Sequence, residues 1–230
     1  MAFEPVVTSD RYCRPPQFND VFVTLSQSNF CKSDRPDKPG GSPGVKDFSI
    51  FEYALKSSDI EQTENLGEIA NVSRRDFDER ETFLCRTTTP SVEYACLMIE
   101  NALLLRTNRS GRVYAGFEKL SCLEPIMDRY LRIADVSESV YIFGEADWQP
   151  PRHPNIRLVN LSPDFRLARE SFLIAQSSSL HTAFLAFDEG GFEITTPEQI
   201  RFWAIKTSHP AIVSDLSTAI EGLIDWTLAA

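Results

Sequence analysis

The sequence lacks every short motif that would indicate a familiar catalytic or nucleotide-binding chemistry. It contains neither glycine-rich phosphate-binding pattern, nor the G-x-S-x-G turn of hydrolases, nor the zinc-binding H-E-x-x-H. Its histidines are few and isolated: His153 among prolines, His181 in a turn and His209 at a helix end. No nucleophile with an adjacent base is evident, and the sequence therefore predicts a protein that is not an enzyme.

Long apolar runs are also missing. No stretch approaches the roughly 20 residues that a membrane-spanning helix requires, and the beginning of the chain does not resemble a secretory signal. None of the five cysteines sits at a C-x-x-C spacing, so neither a zinc site nor a thioredoxin-like motif is indicated. We therefore expect a cytoplasmic protein with free thiols, no metal and no membrane association.

Positive charge is scarce. The chain has 23 basic and 33 acidic residues, a formal net charge of −10. Residues 1–46 hold six basic and five acidic side chains, so the remainder carries −11. A domain of that charge repels phosphate backbones and anionic lipid surfaces, which argues against nucleic acid and membranes as partners.

Composition changes near residue 46. Residues 1–46 contain six of the fourteen prolines and a Pro-Gly-Gly-Ser-Pro-Gly run, whereas the rest alternates apolar and amphipathic stretches. This contrast predicts a flexible arm over 1–46 and a single folded domain over 47–230. The apolar run at residues 21–25 is either an added edge strand, a recognition segment for a partner, or a weakly structured stretch.

The patterns along the domain predict a mixed α/β fold, with parallel and antiparallel strands in one central sheet flanked by helices. Thr89, Pro90 and Glu93 are typical of a helix beginning, and a Ser-rich turn near residue 178 predicts an antiparallel hairpin. Helices are also predicted at 49–55, 61–72, 125–134, 197–208 and 210–228, and strands at 83–87, 113–120, 140–144, 156–161, 172–176, 182–187 and 192–195.

Four polar residues interrupt predicted strands or helices and are candidates for ligand binding: Arg86, Glu100, Tyr114 and Gln176. In the functional interpretation, Arg86 and Glu100 pair with each other or line a cleft at the strand ends, where open α/β sheets usually bind ligands. In the structural interpretation, they form an ion pair without a functional role or occupy ordinary surface positions. The aromatic excess likewise suits either a chromophore pocket or a core, and the cofactor stays unknown.

Other positions are candidates for redox chemistry or for association. Cys122 precedes the helix predicted from Pro125, whose dipole would favour a thiolate. Cys85 and Cys96 are expected to be small buried hydrophobes. The last helix has more apolar surface than one core face needs, so Leu216, Ile220 and Leu223 are candidate interface residues.

The order of several segments resembles the DICT sensory domain of diguanylate cyclases and two-component systems. The family-pattern positions among them are Glu100, Tyr130 and Phe143, to which the resemblance assigns no chemistry. The matching segments are residues 51–55, 90–101, 112–120, 129–130 and 140–145.

The resemblance implies a regulatory input domain, here without an output domain. It would act on a histidine kinase, a response regulator, a diguanylate cyclase or a second copy of itself. The leading hypothesis is a non-enzymatic signalling protein that binds a small ligand or a partner protein. The alternatives are a flavin-, nucleotide- or light-linked binding module, and an enzyme that uses Arg86, Glu100 and Cys122.

Overall fold

Eight strands form one mixed sheet in the part of the chain that the structure describes. The computed structural model describes residues 45–58, 63–105, 110–188 and 201–229. The strands are β1 (Glu64–Glu68), β2 (Thr82–Thr88), β3 (Arg112–Lys119), β4 (Ser139–Glu145), β5 (Ile156–Asn160), β6 (Glu170–Gln176), β7 (His181–Asp188) and β8 (Arg201–Thr207). Their order across the sheet is β1-β2-β8-β7-β6-β3-β4-β5. The predicted mixed α/β fold with a central sheet is confirmed.

The described residues also form five α-helices. They are α1 (Ile50–Ser57), α2 (Arg74–Glu79), α3 (Thr89–Leu104), α4 (Met127–Val136) and α5 (Pro210–Ala229). Short 3₁₀ turns lie at Val45–Asp47, Ile69–Asn71, Leu120–Ile126 and Arg166–Arg169. Within the described ranges no helix combines the length and apolarity needed to cross a membrane.

The directions of the strands determine which strand ends lie at the same edge of the sheet. β3 and β4 are parallel, with α4 between them in sequence, and β6 and β7 form the predicted antiparallel hairpin. β8 is antiparallel to both β2 and β7. The carboxyl ends of β2, β3, β4 and β7 therefore lie beside the amino ends of β6 and β8. We call this the C-terminal edge.

Helices cover both faces of the sheet, which is why the central strands are apolar on both sides. On one face α3 and α4 bury residues such as Ile99 and Ile133 against strand residues that include Ile142 and Phe184. On the other face α1 and α5 bury Ile50, Leu216 and Ile220 against a second set of strand residues. Alternation along each strand thus assigns a side chain to the α3–α4 face or to the α1–α5 face.

Two predicted helices are strands. Leu66, Ile69 and Ala70 suggested a helix over 61–72, but β1 occupies Glu64–Glu68 and pairs in parallel with β2 before a 3₁₀ turn. The helix predicted after Pro197 is wrong over 201–207, where β8 fills the gap between β2 and β7. In both segments pairing with a neighbouring strand outweighs local helical spacing.

Smaller differences concern element ends. α3 begins at Thr89, so Thr88 rather than Thr89 occupies the N-cap position, and the helix ends at Leu104, before the predicted stop. α4 begins at Met127 rather than at Pro125, because residues Leu120–Ile126 form a 3₁₀ helix. The arm up to residue 44, with its run at 21–25, and the strand predicted at 192–195 lie outside the described residues.

The α5 helix contains a glycine at a position where no close contact requires one. Gly222 is exposed, and a Cβ built on it has no atom within 4 Å. We expect Gly222→Ala to raise the free energy of unfolding by about 1 kcal/mol, since glycine is a poor helix former. Urea unfolding would measure it.

Gly116→Ala is the contrasting control, because there a Cβ would lie 2.1 Å from a Phe172 ring carbon. That substitution should destabilise the protein by about 1–3 kcal/mol through overpacking. An unchanged or lower stability of Gly222→Ala would show that this part of α5 is not helical in solution.

Candidate functional site

A large cleft opens at the C-terminal edge of the sheet, between the amino-terminal half of α3 and the chain that follows β3. Its volume is about 1240 Å³. This is the position at which open α/β sheets bind ligands. The lining is formed by α3, the 3₁₀ turn Leu120–Ile126, the start of α4, the strand ends and the segment before β6. Its residues include Thr89, Glu93, Tyr94, Cys96, Leu97, Glu100, Phe117, Glu118, Cys122, Glu124, Arg129, Tyr130, Glu145, Arg169, Glu170, Asp188 and Phe202.

Four carboxylates line the cleft at the ends of neighbouring strands, and we call them the acidic row. β7, β6, β3 and β4 are consecutive in the sheet. Each contributes one acidic residue at the C-terminal edge and to the cleft lining: Asp188, Glu170, Glu118 and Glu145. The residues are far apart in sequence, and strand order brings them to one edge of the sheet. The row straddles that edge, because Glu170 alternates with Phe172 on the α1–α5 face and Asp188 alternates with Ala186 on the α3–α4 face.

Burial disfavours the charged form of Glu118 and Glu170, and nearby carboxylates add to this effect at Glu118. Burial is the main cause that raises the pKa of Glu118 to about 7, and the nearby carboxylates of Glu145 and Asp188 raise it further, while Lys119 lowers it. Burial also raises the pKa of Glu170 to about 7. Glu118 and Glu170 therefore exchange protons near neutral pH.

Glu170 links the row to α1. Its side chain is 2% exposed, and Oε2 accepts a hydrogen bond from the backbone N–H of Phe51 at 3.0 Å. A carboxylate beside the first turn of a helix is stabilised by the helix dipole. Its Oε1 has no hydrogen-bond partner among the described residues, so one buried oxygen at the cleft is left to interact with something else.

A buried polar network between α3 and α4 also lines the cleft. Glu100 is 4% exposed, lies 3.4 Å from Arg129 and accepts a hydrogen bond from Tyr130. Burial raises the pKa of Glu100, and the two partners oppose that rise. The Tyr130 ring meets Phe117 edge-on at 5.8 Å between centroids. Two of the three family-pattern positions, Glu100 and Tyr130, are thus in direct contact at the cleft.

Two half-buried cysteines, Cys96 and Cys122, line the cleft. Cys96 is close to Glu100, and burial raises its pKa to about 12, so its thiol is unreactive. Cys122 is half-buried and belongs to no disulfide. It lies in the 3₁₀ turn rather than just ahead of α4, which removes the geometry on which the dipole argument rested. Its redox role stays a prediction.

The remaining ligand candidates do not reach the cleft. Arg86 lies on the α1–α5 face, where its guanidinium stacks 4.8 Å from the centre of the Trp203 ring. It therefore does not pair with Glu100, which belongs to the α3–α4 face. An enzyme site built from Arg86, Glu100 and Cys122 is not assembled in this structure.

Tyr114 and Gln176 serve the α1–α5 face and the far edge of the sheet. The Tyr114 hydroxyl donates to Glu221 Oε1 at 2.5 Å, Arg112 pairs with the same carboxylate, and the ring stacks on Tyr141. This contact ties β3 to α5. Gln176 ends β6 opposite Arg112, at the edge away from the cleft.

Phe143 and the interface candidates are core residues here. The Phe143 ring packs 5.6 Å from that of Phe172. Leu216, Ile220 and Leu223 are buried between α5 and the sheet. The excess apolar surface of α5 is explained by the second core, so these three side chains are not available to a partner while the helix is docked.

Sequence reasoning found Glu100 and Tyr130 but missed the acidic row. The available signal was an acidic residue at the end of each of three predicted strands, at positions 118, 145 and 188. Across the described residues, no group of three or more His, Cys, Asp or Glu side chains could hold a metal ion.

Two solved structures show distant similarity to this chain. A polyphosphate kinase from Porphyromonas gingivalis aligns at 15% identity and a TM-score of 0.43, covering 64% of this chain and 26% of the kinase, so this chain spans about a quarter of that protein. Nuc, a phospholipase D family member from Salmonella typhimurium, aligns at 11% identity and a TM-score of 0.33, covering 63% of this chain and 93% of that one. Neither similarity bears on activity.

The family comparison is more informative. No curated protein matches the sequence. Residues 93–189 match the model of the DICT family, described as the sensory domain in diguanylate cyclases and two-component systems. The matched range runs from α3 through β7, and it contains the acidic row and the Glu100–Tyr130 contact. This match agrees with the resemblance seen in the sequence, and over residues 93–189 the chain is similar to the DICT sensory domain.

Proposed function

We propose that this chain is a sensory module that binds a small ligand in the cleft at the C-terminal edge and passes the signal to another protein. The observation that carries the proposal is the cleft itself, which is larger than the roughly 300–1,000 Å³ typical of small-molecule sites. It lies almost wholly within the family-matched residues, and its lining combines apolar surface with a few convergent polar groups.

The cleft is built so that occupancy can be transmitted. One wall is α3, and the lining includes Glu170, which holds the first turn of α1 on the opposite face. A ligand that engages Glu170 or Glu100 would change contacts of helices on both faces of the sheet. Such differential contacts are what a two-state regulatory domain requires.

The proposed recipients of the signal are a histidine kinase, a response regulator or a diguanylate cyclase, which are the family's contexts. The nucleotide or flavin alternative is less well supported, because phosphate groups would face the acidic row. Docking of a partner through α5 would have to use the exposed side of that helix rather than Leu216, Ile220 or Leu223.

A ligand screen by thermal unfolding tests the proposal. A ligand present at 100 times its Kd stabilises by about 2.7 kcal/mol and should raise the Tm by about 5–10 °C. Alkylation of Cys122, followed by peptide mass spectrometry, reports occupancy because this thiol lines the cleft. A true cleft ligand should slow that reaction.

Two matched tyrosine variants control for surface binding. Tyr94 is 54% exposed on the cleft wall and Tyr53 is 37% exposed on α1, away from the cleft. Tyr94→Ala should reduce the ligand-induced Tm shift, whereas Tyr53→Ala should preserve it. The proposal would be overturned if Tyr94→Ala left the ligand-induced Tm shift unchanged and the ligand did not slow alkylation of Cys122. Both results would place binding outside the cleft.

A further inference from the structure

The acidic row has the form of an extended cation site. Its four carboxylates come from four consecutive strands. Since neighbouring strands lie about 4.8 Å apart, the row extends over about 14 Å. Negative charge distributed over that length suits a ligand whose positive charges are also distributed, rather than a single compact ion.

The charge of the whole cleft lining also favours a positively charged ligand. Among the described residues the cleft is lined by seven acidic side chains and two arginines, a surplus of five negative charges. Protonation of Glu118 and Glu170 near pH 7 would lower the surplus to three. One arginine, Arg129, is already paired with Glu100. An anionic ligand is therefore disfavoured at every protonation state of the row.

A second observation points to a hydrogen-bond donor. Glu170 is 2% exposed and lines the cleft, and its Oε1 lacks a partner among the described residues. The hydroxyl oxygen of Thr89, also at the cleft, is likewise buried without a described partner. Once Glu170 is ionised, Oε1 is a buried acceptor, and buried acceptors are normally satisfied in the functional state. An ammonium group supplies three donors and no acceptor.

From these observations, and resting on the proposed ligand-binding function, we infer that the cleft takes a linear amine with two or more positive charges joined by methylene chains. Its ammonium groups lie along the acidic row. Its methylene groups contact the apolar wall formed by Leu97, Phe117 and Phe202. Tyr94, at the mouth, offers an aromatic face to a cation.

Binding of such a ligand is coupled to protons. The groups that face Glu118 are Lys119 on its own strand, Glu145 of β4 and Asp188 of β7. Because a cation favours the ionised carboxylate, it lowers the pKa of Glu118 from about 7. Affinity should consequently rise between pH 6 and pH 8, and binding should release protons.

Three probes with the same eight-carbon chain test the charge requirement: 1,8-diaminooctane, 1,8-octanediol and octanedioate. Isothermal titration calorimetry of the full chain gives each Kd, and Cys122 alkylation confirms occupancy of the cleft. We expect the diamine to bind at least about tenfold more tightly than the diol, and octanedioate not to bind. The affinity of the diamine should fall when the salt concentration is raised.

Paired variants locate the charge effect. Glu118→Gln combined with Glu145→Gln should weaken diamine binding about tenfold or more and leave diol binding unchanged. Glu138→Gln, at the opposite edge of the sheet and exposed, is the matched control and should bind the diamine as the wild type does.

Equal or tighter binding of the diol or octanedioate would overturn the inference while leaving a ligand-binding cleft intact. Absence of diamine binding would also overturn it. The proposed function itself would be overturned by separate results: a screen in which no ligand protects Cys122, or one that finds only ligands insensitive to Tyr94→Ala.

Discussion

Leu216→Asp is expected to unfold the domain. Leu216 is 0% exposed and packs with α5 against the sheet. Truncating a buried leucine to alanine already costs about 2–5 kcal/mol, and aspartate adds an unpaired buried charge worth several kcal/mol more. The sum approaches the 5–15 kcal/mol total stability of a typical domain. Near-UV circular dichroism and urea titration should therefore show no cooperative transition.

Thr218→Asp is the matched control on the exposed side of α5. Its hydroxyl donates only to the Ser214 carbonyl, and an exposed substitution typically changes stability by less than about 0.5 kcal/mol. A folded Leu216→Asp protein that merely lost association would contradict the structure. It would show that α5 leaves the sheet and that the interface interpretation of the sequence was right.

The helix interpretation of 201–207 failed because this strand is central. Phe202, Ala204 and Lys206 face α3, and the alternate residues face α5, so neither side shows the polar face of a surface strand. Lys206 is 3% exposed, and its Nζ donates to the Arg80 carbonyl at 2.5 Å and to Ser208 Oγ at 3.1 Å. Lysine is almost never fully buried unless it is paired, and here local polar groups satisfy it inside the fold.

Alternation along β2 could have separated Arg86 from Glu100. Phe83 and Cys85 face α3, so Arg86 must face the other way. The sequence contained that information, and the pairing hypothesis neglected it. The acidic row could not be predicted in this way. Glu118 and Asp188 lie near each other only because β3, β6 and β7 pair in the sheet. Local patterns predict strands, but they do not predict which strands become neighbours.

Glu170 should make the domain less stable as pH rises. Burial raises its pKa to about 7, opposed by hydrogen bonds from Ser49 and the Phe51 N–H and by the charge of Arg166. The folded state therefore holds a proton that the unfolded chain releases near pH 4.5. The stability that this proton contributes is complete below pH 4.5 and is lost as pH rises through 7. At about 1.4 kcal/mol for each pH unit, the loss approaches about 3 kcal/mol.

Glu170→Gln removes this titration while it keeps an oxygen that can accept from Phe51 N–H. Between pH 4.5 and pH 8, the free energy of unfolding of the variant should rise by about 3 kcal/mol relative to that of the wild type. Urea unfolding at several pH values measures it, and Glu138→Gln, at an exposed site, should retain the wild-type slope. If Glu170→Gln kept the wild-type slope and lost stability at pH 8, the carboxylate would be ionised in the fold. Glu170 would then add its negative charge to the acidic row at neutral pH even without a ligand.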